Sequence, residues 1–229
     1  MKAVSLYLLR HGAVISIQGK RYIGQMEAPL SERGVEEAWA QRDWLHGVEF
    51  TQAFSSDLTR SVRTARIVLG GRTTPLQVAR ELREISLGDW EGFSFRDIQQ
   101  RFPEEYEARG RDLENWRPPN GESFADCRNR VIPFFHDLLE RAEGNILLAG
   151  HAGVNRLILC EAMGVPVANL MSIRQGYGCI NRIDYEPGKR RLQLLNYAPL
   201  ESRPVPDPVP CEPRQPSAEA KAAAQGRQR

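Results

Sequence analysis

Two short apolar runs in this chain end on a histidine beside a glycine. Residues 5–9 lead into Arg10-His11-Gly12, and residues 145–149 lead into Gly150-His151. Runs that are apolar on both faces are typical of central strands in a parallel sheet. Because open α/β sheets bind ligands at the carboxyl ends of their strands, the pattern predicts that both histidines belong to one site.

Helical spacing of apolar positions follows each of these runs, so the order of elements is of the βαβ type. Predicted helices are one from Ser31 to Gly47, one over residues 57–69 after a short strand at 53–56, one over 94–101, one that begins at Ser123, and one from Gly153 to about Met163. Pro133 predicts a kink in the helix after Ser123. Residues 178–185 and 191–196 are predicted to pair as the closing strands.

Two segments depart from this regular pattern. Residues 82–92 begin like a strand and break into a glycine-rich loop, and residues 104–120 are charged with weak periodicity, which predicts an irregular lid within an insertion at about 86–120. From residue 203 the chain is dense in proline and poor in apolar residues. Such a composition cannot offset the entropy of ordering, so 203–229 is predicted to be a disordered tail behind a single domain, 1–202.

Composition narrows the classes of function. The chain has 229 residues and a net charge of +2, with its basic residues spread along the sequence, so no nucleic-acid partner is expected. No apolar run is long enough to cross a bilayer, and the first is too short for a signal peptide, so no membrane partner is expected. The four cysteines show no metal-ligand spacing, which favours free thiols in a reducing cytoplasm.

Five residues with phosphoryl-transfer chemistry fall at predicted strand ends or helix starts: Arg10, His11, Arg60, Glu84 and His151. Two guanidinium groups can hold a phosphate dianion, and a neutral imidazole nitrogen can attack phosphorus. A carboxylic acid must then protonate the leaving oxygen, and Glu84 is the best-placed candidate. A histidine buried in a core turn is the alternative for His11, but it leaves the charge of Arg10 unexplained.

The order of motifs resembles a known family. The motifs are Leu9-Arg10-His11-Gly12, Pro29-Leu30-Ser31-Glu32-Arg33-Gly34, Ser55-Ser56-Asp57-Leu58-Thr59-Arg60, Glu84 before Gly88-Asp89-Trp90-Glu91-Gly92, Gly121-Glu122-Ser123 and Gly150-His151-Ala152-Gly153. Together, over residues 4–197, they resemble the histidine phosphatase, or phosphoglycerate-mutase-like, superfamily, in the branch that contains α-ribazole phosphatase. The resemblance implies an α/β fold, a three-layer α/β/α sandwich with a mostly parallel central sheet.

The resemblance also implies roles for individual residues. His11 is expected to become the phosphohistidine and Glu84 to be the proton donor, while Arg10, Arg60, His151 and the backbone of Ala152 are expected to bind phosphate. Ser16, Gly24, Gln25 and Glu122 are candidates for substrate binding. No metal and no cofactor are implied. The chain departs from the family pattern at Val14 and Ile17, where threonine and asparagine are usual.

The expected function is a metal-independent phosphomonoesterase that hydrolyses a small phosphorylated metabolite, with α-ribazole 5'-phosphate as the named candidate. One alternative is a phosphoglycerate mutase, although the segment from Glu84 to Gly121 lacks the longer insertion of true mutases. The other alternative is a non-catalytic module that binds a phospho-ligand or a protein. The sequence leaves open whether the chain forms a homodimer.

Overall fold

A six-stranded sheet forms the centre of the molecule. The computed structural model describes residues 2–15, 19 and 21–202. The strands are β1 (Val4–Arg10), β2 (Gln52–Ser55), β3 (Leu76–Val78), β4 (Gly144–Gly150), β5 (Ile180–Glu186) and β6 (Lys189–Tyr197). Their order across the sheet is β3-β2-β4-β1-β5-β6. β1 to β4 are mutually parallel, whereas β5 runs antiparallel to both of its neighbours, so the sheet is mostly parallel.

Six α-helices surround the sheet. They are α1 (Glu32–Trp44), α2 (Thr59–Leu69), α3 (Phe95–Arg101), α4 (Pro103–Arg111), α5 (Phe124–Arg141) and α6 (Ala152–Met163). Short 3₁₀ helices cover Arg80–Leu82, Gly88–Trp90 and Val167–Ser172. The hydroxyls of Ser31, Ser94 and Ser123 cap α1, α3 and α5 by accepting a backbone N–H of the first turn. These caps explain why the three helices begin where the sequence predicts.

Alternation along the strands divides the core into two layers. Tyr7 and Leu9 of β1 pack with Leu45, the C-cap of α1, and with Val68 and Leu69 of α2 on one face of the sheet. Leu6 and Leu8 pack with α5 and α6 on the other face. Because successive side chains of a strand point to opposite faces, one short apolar strand supplies both layers. The three-layer α/β/α sandwich expected from the sequence is therefore confirmed.

The structure corrects two local predictions. No strand begins at residue 82, because the chain there forms the 3₁₀ turns, and Gly88 adopts a left-handed φ of 51°. Residues 104–111, expected to be part of an irregular lid, belong to α4 (Pro103–Arg111), although no side chain of this helix is buried. Pro103 at the first turn, with acidic residues after it and basic residues in the last turn, explains this helix by local effects alone.

Other predictions lie outside what the structure tests. The tail at 203–229 and Ser16 and Ile17 fall outside the described residues. Pro133 lies inside α5, which continues on both sides of it, and the kink there stays a prediction. The pairing of β5 with β6 confirms the closing strands. None of the described helices has the length and apolar character needed to span a membrane.

Candidate active site

The two strand-end histidines meet at the carboxyl edge of the sheet. β1 and β4 are adjacent and parallel, and Arg10 pairs in register with Gly150. His11 and His151, the residues that follow the two strands, therefore lie side by side, with ring centroids 5.0 Å apart. Their exposures are 5% and 0%. The single site predicted from the two apolar runs is thus present as a geometric cluster.

The hydrogen bond of His11 indicates which of its ring nitrogens is free. Nδ1 lies 2.7 Å from the carbonyl oxygen of Gly12, so this nitrogen carries the proton and donates it. Nε2 then keeps its lone pair. Burial lowers the pKa of His11 well below 6.5, and the charges of Arg10 and Arg60 lower it further. The imidazole is therefore neutral near pH 7, as a nitrogen nucleophile requires.

Arg10 and Arg60 bring two positive charges to the histidines. Arg60 lies in the first turn of α2 with 1% exposure, and it donates to the carbonyl oxygens of Met26 at 2.7 Å and Gly24 at 2.6 Å. Arg10 donates from Nη1 to the carbonyl oxygen of Gln175 at 2.6 Å. Among the described residues, the buried Nε atoms of both arginines have no hydrogen-bond partner. The site therefore holds two buried guanidinium donors that no described protein group satisfies.

His151 has a partner that the sequence analysis did not assign. Its Nε2 lies 2.6 Å from the hydroxyl oxygen of Ser56, while its Nδ1 is buried without a partner in the described part of the chain. Burial is the largest cause that lowers the pKa of His151 well below 6.5, and the positive charge of Arg60 is the second. Ser56 follows β2, so the rule that found the histidines at strand ends also applies to it.

The carboxylate of Glu84 lies at the amino end of α6. Its oxygens accept the backbone N–H groups of Gly153 at 3.1 Å, Val154 at 3.3 Å and Ile85 at 3.0 Å. Glu84 is the one carboxylate residue that lines the cavity formed by the described residues. Its three rivals in sequence, Glu81, Asp89 and Glu91, are absent from that lining. The geometry therefore favours Glu84 among the nearby acids.

The other candidates divide between the cavity and its support. Ala152 is the first residue of α6 and lines the cavity, as does Gly24. Gln25 donates from its side chain to the carbonyl oxygen of Glu84 at 3.0 Å, and it is not part of the lining. Glu122 is also outside the lining; it pairs with Arg130 at 2.8 Å and accepts the N–H of Ser86 at 2.9 Å. These contacts indicate support of the loop that carries Glu84.

The cavity has a volume of about 190 Å³ and an unbalanced charge. Its lining holds five arginines, Arg10, Arg21, Arg60, Arg109 and Arg156, against the single carboxylate of Glu84. Apolar walls include Tyr22, Phe95 and Met171. Such a surface suits a ligand with at least one anionic group beside an apolar part. Among the described residues there is no cluster of three or more metal-ligating side chains.

Comparison with known proteins identifies the family. The family model of the histidine phosphatase superfamily (branch 1) matches residues 6–198. The chain belongs to this superfamily. It is 36% identical, over 83% of its length and 95% of the relative's, to the adenosylcobalamin/alpha-ribazole phosphatase of Escherichia coli K12. It is 33% identical, over 74% of its length and 78% of the relative's, to the glucosyl-3-phosphoglycerate phosphatase of Mycolicibacterium vanbaalenii.

A solved structure supports the same assignment. The crystal structure of the alpha-ribazole phosphatase from Shigella flexneri has a TM-score of 0.79 and 34% identity, over 85% of this chain and 96% of that one. This histidine phosphatase is therefore an enzyme of the phosphatase type that acts on a small phosphate ester. The fold and the family expected from the sequence motifs are confirmed.

Several cavity residues of this histidine phosphatase were not found by sequence reasoning. Tyr177, Arg109 and Arg156 all line the cavity beside the predicted residues. Arg156 is four residues after Ala152 on α6, so its position on the same helix face could have been expected from helix geometry. Tyr177 and Arg109 lie in a turn and on the surface helix α4, where no sequence signal marks them. The residues assigned by resemblance keep their proposed roles below.

Proposed function

We propose that this histidine phosphatase hydrolyses its substrate through a phosphohistidine on Nε2 of His11. The observation that carries the proposal is the environment of that ring. Its Nδ1 is held by the carbonyl of Gly12 at 2.7 Å, its pKa is lowered by burial and by two arginines, and His151 lies 5.0 Å away between centroids. A neutral, oriented imidazole among fixed cations is what phosphoryl transfer to nitrogen needs.

In the first half-reaction a set of groups holds the phosphoryl oxygens. We call Arg10, Arg60, His151 and the backbone N–H of Ala152 the phosphate cradle. Nε2 of His11 attacks phosphorus, the bond between phosphorus and the ester oxygen breaks, and protonated Glu84 gives its proton to that oxygen. The unpaired Nε atoms of the two arginines support this assignment, because their N–H groups are already oriented and buried.

In the second half-reaction water takes the place of the leaving alcohol. The Glu84 carboxylate accepts a proton from water, the water oxygen bonds to phosphorus, and the bond between phosphorus and Nε2 breaks. Three backbone N–H groups fix the orientation of Glu84, so one carboxyl group can serve both steps from one position. No metal takes part in these steps. Val14 lines the cavity where threonine is usual and adds only apolar contact.

As substrate we propose α-ribazole 5'-phosphate. Relatives that carry this activity in their names match 83% of the chain at 36% and 34% identity. The apolar walls at Tyr22 and Phe95, whose rings are 4.4 Å apart, offer a surface on which a flat base can stack. Hydrolysis of this ester, measured beside a panel of phosphorylated metabolites, tests the assignment. A much higher kcat/KM for another ester would overturn it.

The decisive experiment replaces the nucleophile. With 4-nitrophenyl phosphate in EDTA, we expect His11→Ala to lose at least about 1,000-fold in kcat, because the covalent step is removed. His46→Ala changes an exposed histidine at the end of α1 and should keep full activity. Quenching the wild type in alkali during turnover should trap base-stable, acid-labile phosphate that His11→Ala lacks. Full activity of His11→Ala contradicts the proposal.

The same assays separate the alternatives. A phosphoglycerate mutase returns the phosphoryl group to a sugar acid, so it would interconvert phosphoglycerates with bisphosphoglycerate as primer and release little phosphate. A non-catalytic module would bind phosphate esters and release none. We expect steady release of inorganic phosphate, since the two relatives compared above are named as phosphatases.

A cytoplasmic location and a homodimer complete the proposal. Cys127, Cys160 and Cys179 are buried with free thiols, which suits a reducing compartment. Exposed Trp39 and Trp44 of α1 offer apolar surface for a second copy. Fractionation of the native cell and light scattering of the purified protein test the two parts. Recovery outside the cytoplasm, or a mass near 25.9 kDa at all concentrations, contradicts them.

A further inference from the structure

An aromatic ring covers the guanidinium group of Arg10. Tyr177 lies in the turn between the 3₁₀ helix Val167–Ser172 and β5, and its ring centroid is 3.7 Å from Cζ of Arg10. The same ring is 5.6 Å from the ring of His11, at an interplanar angle of 52°. Tyr177 lines the cavity with 37% of its surface exposed. Its ring thus separates Arg10 and His11 from the solvent on one side.

The turn that carries Tyr177 is fixed to the strand that carries Arg10. Gly178 donates its N–H to the carbonyl oxygen of His11 at 3.2 Å, and Arg10 donates its own N–H to the carbonyl oxygen of Cys179 at 3.0 Å. Gly176 donates to the side chain of Asn196 at 2.6 Å. The position of the ring over Arg10 is therefore set by backbone contacts and does not depend on a mobile side chain alone.

A buried amide network holds the second constraint on Arg10. The carbonyl oxygen of Gln175 accepts Nη1 of Arg10 at 2.6 Å. The side chain of Gln175 is itself bonded to Asn181 at 2.8 and 3.0 Å and to Asn155 at 3.2 Å. With Nη1 occupied and one face covered by Tyr177, the buried Nε of Arg10 is left without a partner in the described chain. Two contacts thus leave one edge of the guanidinium for an anion.

We propose that Tyr177 is a positioning residue that holds Arg10 in the orientation that binds the phosphoryl group. The inference rests on the proposed function, because Arg10 is part of the phosphate cradle. A long arginine side chain loses conformational entropy when it is fixed. Because a stacked aromatic ring restricts Arg10 in the free enzyme, less of that entropy is lost when the substrate binds. The face of the ring makes the contact with Arg10, so the hydroxyl group of Tyr177 is not needed for it.

The test measures inorganic phosphate, which occupies the phosphate cradle without any leaving group. We expect Tyr177→Leu to weaken phosphate binding by about 3- to 30-fold, the range of a cation–π contact, in calorimetry and in competitive inhibition. Tyr177→Phe keeps the ring and should stay within about 2-fold of the wild type. Phe93→Leu removes a cation–π pair with Arg101 outside the cavity lining and should leave phosphate binding unchanged.

A double-mutant cycle distinguishes positioning from general damage. If Tyr177 acts through Arg10, Tyr177→Leu has no further effect on phosphate binding in an Arg10→Ala background. An equal loss with and without Arg10 overturns the inference, as does a Tyr177→Phe variant as weak as Tyr177→Leu. Tyr177→Met serves as the second ring-free variant if the leucine variant fails to fold. Phosphate binding can be measured without turnover, so this test does not depend on the proposed reaction. Absence of phosphohistidine in the wild type would refute the proposed function, whereas the effect of Tyr177 on phosphate binding would still be measured.

Discussion

His11 and His151 are buried imidazoles beside the guanidinium groups of Arg10 and Arg60. Burial is the largest reason why the pKa values of both histidines are well below 6.5, and the arginines add to it. The imidazolium form is disfavoured twice, since it is poorly solvated and repelled by like charge. The same two causes make Nε2 of His11 available as a nucleophile. Neutrality here is a property of the surroundings and cannot be read from the residue type.

This neutrality makes stability depend on pH. In the unfolded chain a histidine takes up a proton near pH 6.5, whereas the folded pKa is lower, so below pH 6.5 the unfolded state binds more protons and the free energy of unfolding falls. The contribution is fully present above pH 6.5 and is lost as pH falls. Each histidine accounts for up to about 1.4 kcal/mol per pH unit below that value.

Urea denaturation of a matched pair isolates the effect of one side chain. We expect the difference in free energy of unfolding between the wild type and His11→Ala to move by about 1 kcal/mol in favour of the variant from pH 6.5 to 5.5. His46→Ala, at an exposed position, should show no such change. A difference that stays constant across this range contradicts the lowered pKa of His11.

At the scale of elements, two glycines let α1 approach the end of β1. A Cβ atom on Gly34 of α1 would lie 1.9 Å from the carbonyl oxygen of Ala13, and one on Gly12 would lie 2.0 Å from that of Gly34. The backbones are therefore in direct contact beside His11. Ser31, the cap of α1, also donates its N–H to Ala13 at 2.9 Å. The start of α1 thus fixes the loop that follows the nucleophile.

Gly34→Ala tests this contact. We expect it to destabilise the protein by about 1–3 kcal/mol, because the added methyl group meets backbone that cannot move aside, and to lower Tm by several degrees. Gly110→Ala is the matched control, since Gly110 lies in α4 with nothing within 4 Å of the added atom and should be neutral or stabilising. Thermal unfolding of both variants is the measurement. Equal Tm values for the two would show that the close approach carries no cost.

At the scale of the whole molecule, positive charge is concentrated in one cavity. The chain as a whole carries only +2, yet five arginines and one carboxylate residue line the cavity. These arginines come from separate parts of the chain, including β1, α2, α4 and α6. Arg109 reaches the cavity from α4, and partial desolvation there lowers its pKa. The summed field attracts anionic substrates and weakens as salt screens it.

Arg109→Gln measures the contribution of α4 to this field. We expect KM for an anionic ester to rise by about 3- to 10-fold at low ionic strength with kcat nearly unchanged, because the charge acts on binding. The salt dependence of kcat/KM should become shallower. Arg63→Gln, on the exposed side of α2 and outside the cavity lining, should behave as the wild type. Identical KM values for the two variants would contradict a role for Arg109.

Much of the architecture could be predicted because its signals are local. Apolar runs, serine caps and glycine stops predicted β1, β2, β4, β5 and β6 and five of the six helices, since periodicity and capping act within a few residues. The three residues of β3 are too few to show alternation. The sequence analysis did not predict α4, because this helix has no buried side chains and therefore no apolar stripe.

The order of residues by itself determined the mostly parallel type of the sheet, the family and the meeting of His11 with His151, because parallel strands bring their ends to one edge. Only the tertiary structure decided which side chains complete that edge. Ser56 meets His151 across 95 positions of chain, and Tyr177 covers Arg10 from a turn without any motif. Glu84 is singled out from its neighbours by backbone N–H groups of α6. Such pairings depend on how loops pack against the sheet, and the local periodicity of the sequence does not predict that packing.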